Sequence, residues 1–344
     1  MAFKQIQLRG RPLAAHKIIV APDFMSRTVL VADTWDYVTM WLRRQGRDEA
    51  LFYWEQARHF FEASKNLPNT SSPLTLYYCF LNAVNALLNL HGVSSNRHGV
   101  TGKSGPGRKT SLANEIVTLQ KGGTLAELRR YLTEPAGRFV YSLKDLFYNL
   151  PYIHRAYKLT YASRPELFIP IRNPRFVRKD ASSEAWFCAE VEDRYATAHT
   201  LNKLEGFERD LGVQESFTIR MADRFKWVRS RAAEEANKTR LINYHRKVRK
   251  TLYYIQGPTR LWYLKRSNSE GVIKLSSLTI TIAAMHRLSE MARYAPIVLA
   301  NHFKCRHNWL VSEFIATART QFIDEISSEI TGQEFMIPGR KGVT

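Results

Sequence analysis

The chain of 344 residues is long enough to bury a large core, and its 44% hydrophobic and 24% charged residues are ordinary for a soluble globular protein. The charge balance is unusual, because 51 Lys and Arg against 31 Asp and Glu give a net charge of +20. This excess favours a polyanionic partner, with nucleic acid the first candidate and an anionic membrane the second. The alternative is a basic protein that binds no polyanion.

Cysteine usage and hydropathy indicate the cellular compartment of the protein. Cys79, Cys188 and Cys305 lie far apart, which argues against a disulfide framework or a cysteine-rich zinc site. The first residues lack the apolar segment of a signal peptide, and no stretch approaches the roughly twenty apolar residues of a membrane span. We therefore expect a cytoplasmic protein that has no membrane partner.

The first half of the chain is predicted to be mostly helical. Residues 1–32 contain β-branched runs and predict an N-terminal segment with short strands. Helical periodicity follows over residues 33–164, and we predict short helices at 111–120 and 124–132. A Ser-x-x-Asp capping pattern at Ser142 predicts the start of another helix.

One helix within this half is predicted to be central. The run SPLTLYYCFLNAVNALLNLHG begins at Ser72, has Pro73 at its first helical position and is followed by Gly92 as a natural C-cap. Its apolar residues extend most of the way round the helix, so we expect Leu81 and Leu88 to be buried. The loop that follows is rich in glycine and cations, and function is expected at this junction.

The second half is predicted to contain a β-rich insertion. Short aromatic and β-branched runs over residues 165–275 predict an antiparallel sheet, interrupted by helical pieces near 193–211 and 222–250. Helices are expected again over 276–344, packing back on the helical core. The predicted fold class is therefore α+β, with a mainly helical core and an inserted antiparallel β-containing basic region.

Several blocks together resemble the bacterial YaaC-like family. They are the Tyr-Tyr helix described above, the His-Gly-Val-Thr sequence at 98–101, and Glu-Ile-Val at 115–117 followed by Gln-Lys-Gly-Gly at 120–123. Later blocks begin at Ser142 and at Ser289, and the matching covers roughly 33–160 and 276–330. One departure is Asn85, where related sequences tend to carry Lys.

The tyrosine pair followed by a histidine loop also resembles the HEPN superfamily of helical bundles. This weaker resemblance implies an HEPN-like core, and a place in a bacterial antiphage defence or stress system, because several HEPN proteins are ribonucleases of toxin and antiviral systems. Their active sites carry Arg-x(4–6)-His, and the best match here is Arg240–His245. Matches at this spacing are expected by chance in so basic a chain.

His98 is the strongest candidate for acid–base chemistry. Its imidazole titrates near neutral pH, neighbouring cations could stabilise a phosphorane-like transition state, and Glu115 and Lys121 are within reach of a folded-back loop. If the protein is an enzyme, these residues predict a metal-independent ribonuclease-type phosphodiesterase. In the alternative, His98 and Gly99 only shape a turn.

No cofactor or metal site is predicted. Gly102-Lys103-Ser104 is not a phosphate-binding loop, because Arg97 stands where the motif requires glycine. His302, Cys305 and His307 have ligand-like spacing but no paired carboxylate or second cysteine.

A basic cluster with interleaved aromatic residues is the strongest binding signal. Cations with aromatic stacking platforms are typical of proteins that bind RNA or single-stranded DNA. In the alternative, the aromatics form a core and the cations its solvated face. The candidate nucleic-acid-binding residues are Arg97, Lys103, Arg108, Lys109, Arg220, Arg224, Lys226, Arg229, Arg231, Lys238, Arg240, Arg246, Lys247, Arg249 and Lys250.

Three functions follow from these patterns. The first is nucleic-acid binding, to RNA or DNA. The second is ribonuclease activity through the His98 loop. The third is a structural subunit whose broad apolar helices pair with a second copy or with another protein.

Overall fold

The computed structural model describes residues 3–106, 109–180, 182–212, 216–257 and 259–336. Its helices are α1 (Thr34–Arg44), α2 (Asp48–Lys65), α3 (Ser72–Leu90), α4 (Thr124–Tyr131), α5 (Leu143–Tyr148), α6 (His154–Thr160), α7 (Ala198–Leu201), α8 (Glu234–Arg249), α9 (Ser277–Tyr294), α10 (Pro296–His302) and α11 (Asn308–Thr331). Its strands are β1 (Phe3–Gln5), β2 (Gln7–Leu8), β3 (Arg11–Pro12), β4 (Val29–Leu30), β5 (Val100–Ser104), β6 (Glu115–Leu119), β7 (Phe139–Ser142), β8 (Phe168–Lys179), β9 (Glu184–Val191), β10 (Phe207–Arg209), β11 (Thr218–Met221), β12 (Phe225–Lys226), β13 (Leu252–Ile255), β14 (Leu261–Lys265) and β15 (Phe335–Met336).

Helix α3 is the central helix, as its apolar composition predicts. It packs on α2, α9 and α11, and the ring of Phe80 stacks on that of Phe322 with centroids 4.1 Å apart. Leu81 and Leu88 are both buried, which confirms the prediction. Helix α5 begins at Ser142 with a complete capping box, also as predicted.

Eight of the described strands form one large antiparallel sheet. The order along the sheet is β10-β11-β9-β8-β14-β13, with β1 paired to β8 and β12 paired to β9. A register shift between Arg172 and Arg175 interrupts the pairing of the two longest strands, and such a bulge bends a strand and increases its twist. Helix α8 packs on this sheet through Leu241, Tyr244 and Val248. The sheet expected within residues 165–275 is therefore present.

A second sheet lies inside the part of the chain that was expected to be helical. Strands β5, β6 and β7 form a three-stranded antiparallel sheet, and β6 occupies the segment for which a helix was predicted at 111–120. That prediction is wrong because Ile116, Val117 and Thr118 are β-branched and find cross-strand partners on both neighbouring strands.

The expectation of a mainly helical, HEPN-like core is also wrong. Of the described residues, 45% are helical and 20% lie in strands, and a large curled antiparallel sheet is a principal part of the fold. The helices around α3 share one buried cluster with β6 and with Phe168, Tyr253 and Tyr263 of the large sheet, while other residues of that sheet, α8 and residues of the N-terminal segment share another. The division at residues 32, 164 and 275 stays a prediction.

The N-terminal segment joins the two clusters. Lys17 is buried and donates to both carboxylate oxygens of Asp324 on α11, each at 2.9 Å. The hydroxyl of Tyr254 on β13 donates to the same carboxylate at 2.8 Å. This buried ion pair with added hydrogen bonds links the last helix to the large sheet.

Replacing Leu88 on α3 with alanine should lower the free energy of unfolding by about 2–5 kcal/mol, because transfer energy is lost and a cavity remains. Leu159 on α6 is 72% exposed, so Leu159→Ala is a matched control with an expected change within about 0.5 kcal/mol. Urea denaturation of both variants makes the comparison. Equal midpoints would show that α3 is not the central packing element.

Candidate functional site

Two glycine turns lie in direct backbone contact beside the end of α3. Gly99 has φ +78° and Gly123 has φ +98°, a region that side chains rarely adopt. A Cβ on Gly123 would lie 2.5 Å from the backbone nitrogen of Gly99, and a Cβ on Gly99 would lie 2.8 Å from the carbonyl oxygen of Gly122. Glycine is therefore required at both positions for the turns to approach this closely.

This contact holds the histidine loop against the start of α4. The backbone N–H of Thr124 donates to the carbonyl oxygen of Arg97 at 2.7 Å, and that of Leu125 donates to the carbonyl oxygen of His98 at 3.1 Å. These bonds use backbone donors that a helix N-terminus otherwise leaves unpaired. The position of His98 is thus set by backbone bonds on one side and by α3 on the other.

Tyr77 on α3 orients the imidazole of His98. Its hydroxyl lies 2.6 Å from Nδ1 of His98, and the two rings are stacked with centroids 5.5 Å apart. Burial lowers the pKa of His98 below its usual range, and burial raises the pKa of Tyr77 above its usual range. An uncharged imidazole therefore faces an uncharged phenol, although His98 taken as a whole residue, backbone included, is exposed.

A second imidazole lies behind the first. His286 on α9 meets the ring of Tyr77 edge-on at 4.8 Å, and its ring lies 6.1 Å from that of His98. Burial lowers the pKa of His286 to about 3, so it is neutral at physiological pH.

These residues line a cleft of about 810 Å³ between α3, the two glycine turns and α9. We call it the His98 cleft. Its principal side chains are Tyr77, Tyr78, Arg97, His98, Lys121, His286, Glu290, Arg293 and Tyr294.

The predicted catalytic residues are only partly brought together. His98 and Lys121 both line the cleft, whereas Glu115 does not. The carboxylate of Glu115 is buried and accepts from Nη2 of Arg287 at 2.6 Å, and Nε2 of His302 lies 3.3 Å from its other oxygen. Burial raises the pKa of Glu115, but the hydrogen bonds and charges of His302 and Arg287 outweigh it and hold that pKa below the usual range. Glu115 is therefore a buried carboxylate with a structural role, bound to Arg287 and His302 and not to the cleft.

Arg287 also fixes the carboxylate of the cleft. Its Nη1 donates to Oε2 of Glu290 at 3.3 Å, and the backbone N–H of Gly102 donates to Oε1 at 3.2 Å. A Cβ on Gly102 would lie 2.0 Å from Glu290, so glycine at this position admits the carboxylate. The Gly-Lys-Ser sequence thus serves helix–sheet packing.

The remaining loop cations lie apart from this arrangement. Lys103 and Lys109 are exposed outside the lining of the cleft, and Arg108 lies outside the described residues.

His302 and His307 share a hydrogen bond of 2.9 Å. Across the described ranges, no set of three His, Cys, Asp or Glu side chains gathers in a metal-binding arrangement.

Eleven of the predicted nucleic-acid-binding residues lie within 220–250, and many of this 220–250 cluster are engaged within the protein. Arg220 and Arg224 both donate to the carboxylate of Glu208, at 2.9 and 2.8 Å, and both guanidinium groups lie over the ring of Trp186. Other pairs are Arg229 with Asp180, Lys238 with Glu234 and Glu235, and Lys247 with Asp223. The interleaved aromatics are mostly buried, so they offer little stacking surface here.

Two expectations within this cluster need correction. Arg249 is buried, and its guanidinium donates to the carbonyl oxygens of Leu252 and Lys17, so it does not face a surface polyanion. His245 is fully buried and accepts from the backbone N–H of His16, so Arg240–His245 is not an exposed catalytic pair. Arg240 and Arg246 are half-buried, and the exposed members without a carboxylate partner among the described residues are Lys226, Arg231 and Lys250.

Sequence reasoning missed the contribution of α9. His286, Glu290 and Arg293 are spaced four and three residues apart, so they share one face of the helix, and Tyr294 follows at its end. A polar face at this spacing on an otherwise buried helix is the signal that could have identified them. Arg293 and Tyr294 are both exposed, with the guanidinium 4.9 Å from the ring centre.

The fold and the cleft define a class: a mixed α/β protein in which a helical layer and a small sheet enclose a cleft lined by imidazoles, tyrosines and cations. A family model described as YaaC-like Protein matches residues 21–330. The chain therefore belongs to the YaaC-like family, as its motifs predict, whereas similarity to HEPN domains is not shown. No curated protein and no solved structure matches the chain. Within the ranges described, no helix has the length and apolar character that crossing a membrane requires.

Gly123→Ala should destabilise the protein more than Gly92→Ala. Both glycines have positive φ, so each alanine costs about 1–3 kcal/mol in backbone strain. Only at position 123 does the new Cβ also meet neighbouring backbone, whereas nothing lies within 4 Å at position 92. Thermal denaturation gives the comparison. A melting temperature for Gly123→Ala equal to or above that of Gly92→Ala contradicts the turn–turn contact.

Proposed function

We propose that the protein binds single-stranded nucleic acid in the His98 cleft. The observation that carries this proposal is the set of three exposed cations, Arg97, Lys121 and Arg293, on one cleft. None of them forms an ion pair within the described residues, and the carboxylate of Glu290 is already held by Arg287 and by a backbone N–H. The cleft therefore has an uncompensated positive charge that suits phosphate groups.

The aromatic residues of the cleft favour an unpaired strand. Tyr294 is 71% exposed at its edge, and Tyr78 is half-buried in its wall. Stacking of a base on such a ring is worth about 1–3 kcal/mol and is available only to bases that are free of a duplex. The net charge of +20 adds long-range attraction for any polyanion.

A triple charge reversal tests this site. Arg97→Glu, Lys121→Glu and Arg293→Glu together should abolish binding of a labelled 12-nucleotide strand, and the three single variants should each make the salt dependence of binding shallower by about 0.7 in slope. The measurement is fluorescence anisotropy over a range of salt concentrations, with both RNA and DNA.

The control is the same charge change in the cluster that the sequence favoured. Lys226→Glu, Arg229→Glu and Arg231→Glu are exposed substitutions outside the cleft, and their triple variant should retain most of the affinity. If the control variant loses binding while the cleft variant keeps it, the nucleic-acid-binding site lies on the 220–250 cluster and not in the cleft. Absence of binding by the wild-type protein at low salt would refute the proposal.

Cleavage of RNA is a second candidate function, favoured by the contact between Tyr77 and His98. When Nδ1–H donates to the tyrosine oxygen, Nε2 carries a lone pair and His98 can take a proton from a ribose 2′-hydroxyl. The 2′-oxygen would then attack the phosphorus as the P–O5′ bond breaks, which leaves a 2′,3′-cyclic phosphate, and the 5′-oxygen would take a proton from water. His286 is too deeply buried and too weakly basic to be the second acid–base group, so binding alone is the preferred function.

His98→Ala separates binding from cleavage. If His98 acts as the base, this substitution should remove most turnover, about a hundredfold or more, and leave affinity nearly unchanged, because the binding cations are other residues. A substrate with a single 2′-deoxyribose at the cleavage position should be equally inert. Full activity of His98→Ala would eliminate this catalytic role.

A place in antiphage defence and a role as an oligomerising subunit stay predictions from the sequence.

A further inference from the structure

A second cleft of about 520 Å³ lies where the end of α8 and the end of β14 meet the segments 132–135 and 272–276. We call it the Lys265 cleft. Its charge is strongly one-sided, because the lining carboxylates are Glu134 and Glu205 while the lining cations are Arg246, Lys247, Arg249, Lys250, Lys265, Arg266 and Lys274.

Two of these basic side chains are buried and make no direct contact with a carboxylate among the described residues. Lys265 is 4% exposed, and its Nζ donates to the carbonyl oxygen of Ile273 at 2.7 Å. Arg249 is 6% exposed, donates only to backbone carbonyls, and leaves its buried Nε without a partner. Neither forms an ion pair among the described residues. Burial lowers the pKa of Lys265 to about 7, so its amine is partly uncharged at neutral pH, and the buried carboxyl groups of Glu325 and Glu329 lie near Arg249 without bonding to it. A bound anion would stabilise the charged form of Lys265 and would pair with the guanidinium of Arg249, so the arrangement indicates an anion that is supplied from outside the chain.

The carboxylates of the cleft do not supply that anion. Glu134 is bound by the backbone N–H of Ser276 at 2.7 Å and by the hydroxyl of Thr279 at 2.9 Å. Burial raises the pKa of Glu134 to about 7, so a large fraction of it is protonated at neutral pH. Glu205 is exposed. Of the seven lining cations, only Lys247 reaches a carboxylate in the described chain, that of Asp223 at 3.2 Å.

The rest of the lining combines hydroxyl side chains with apolar and aromatic surface, which limits the size and character of the ligand. Leu132, Val272 and Leu275 contribute aliphatic surface, and the ring of Tyr253 lies 5.2 Å from Nζ of Lys265. The volume is in the range of small-molecule sites, and the buried position of the two cations suits a compact group better than a polymer backbone.

We propose that the Lys265 cleft binds a small phosphate-bearing molecule, with Lys265 and Arg249 contacting the phosphate and the exposed Lys250 and Lys274 drawing it in. A free phosphate or polyphosphate and the phosphate of an organic ester share this chemistry. The inference is independent of the His98 cleft, because the two clefts share no lining residue.

The test uses the full-length protein with five probes: inorganic phosphate, pyrophosphate, ribose 5-phosphate, AMP and, as the uncharged control, adenosine. Thermal shift and titration calorimetry are measured at low salt. At least one phosphorylated probe should raise the melting temperature in a concentration-dependent way, and adenosine should not. Tighter binding of AMP or ribose 5-phosphate than of the inorganic probes would identify an organic ester as the ligand. The reverse order would identify free phosphate.

Matched variants locate the site. Lys250→Glu with Lys274→Glu should weaken binding of the best probe by about tenfold or more, since two cations near the phosphate are reversed. Lys226→Glu with Arg231→Glu makes the same charge change on exposed residues outside the cleft and should leave affinity unchanged. Lys265→Met should abolish binding, and the melting temperature of the ligand-free variant is measured beside that of the wild type, because the substitution removes both a buried amine and the donor to the carbonyl oxygen of Ile273.

Three results would overturn the proposal. They are the absence of any shift or heat with all phosphorylated probes at millimolar concentration, equal losses in the two double variants, and unchanged affinity in Lys250→Glu with Lys274→Glu. If Lys265→Met does not fold, the two exposed double variants decide the question.

Discussion

Arg287 is the side chain on which the geometry of the His98 cleft depends. Its guanidinium joins Glu115 on β6, Ser104 on β5 and Glu290 on its own helix, and so it clamps α9 to the small sheet. Removing one partner of such a buried ion pair typically costs about 3–5 kcal/mol, because the other charge is left unpaired. With the clamp in place, α9 presents its polar face to α3, and the two glycine turns bring His98 and Lys121 to the same opening.

The sequence predicted those parts of the fold that local patterns determine. Helix α3 follows from an apolar run with Pro73 at its start, and α5 follows from the capping box at Ser142. Strand β6 was mistaken for a helix because a short run such as Ile116–Leu119 fits either period, and only pairing with β5 and β7 decides between them. The amount of β-sheet in the protein depends on the same long-range pairing, which the sequence does not show. The prediction of a mainly helical, HEPN-like core was wrong for this reason.

For the His98 cleft, the sequence indicated some of the lining residues but not the side chains that they contact in the fold. His98 and Lys121 were found because they stand in glycine-rich segments, where a turn can bring them to a surface. Glu115 was a plausible neighbour in sequence, but strand alternation directs it toward Arg287, which is 172 residues away along the chain. Arg293 and Tyr294 were missed for the same reason, since nothing local shows that the end of α9 meets the loop after α3.

The central claim is that an unpaired strand enters the His98 cleft, and photo-crosslinking tests it most directly. A short RNA with a single 4-thiouridine would be irradiated on the full-length protein, and the crosslinked peptides identified by mass spectrometry. Binding in the cleft should give crosslinks at Tyr78 or Tyr294, two rings that line the cleft and remain accessible. Crosslinks confined to residues 220–250, with none on α3 or α9, would contradict it.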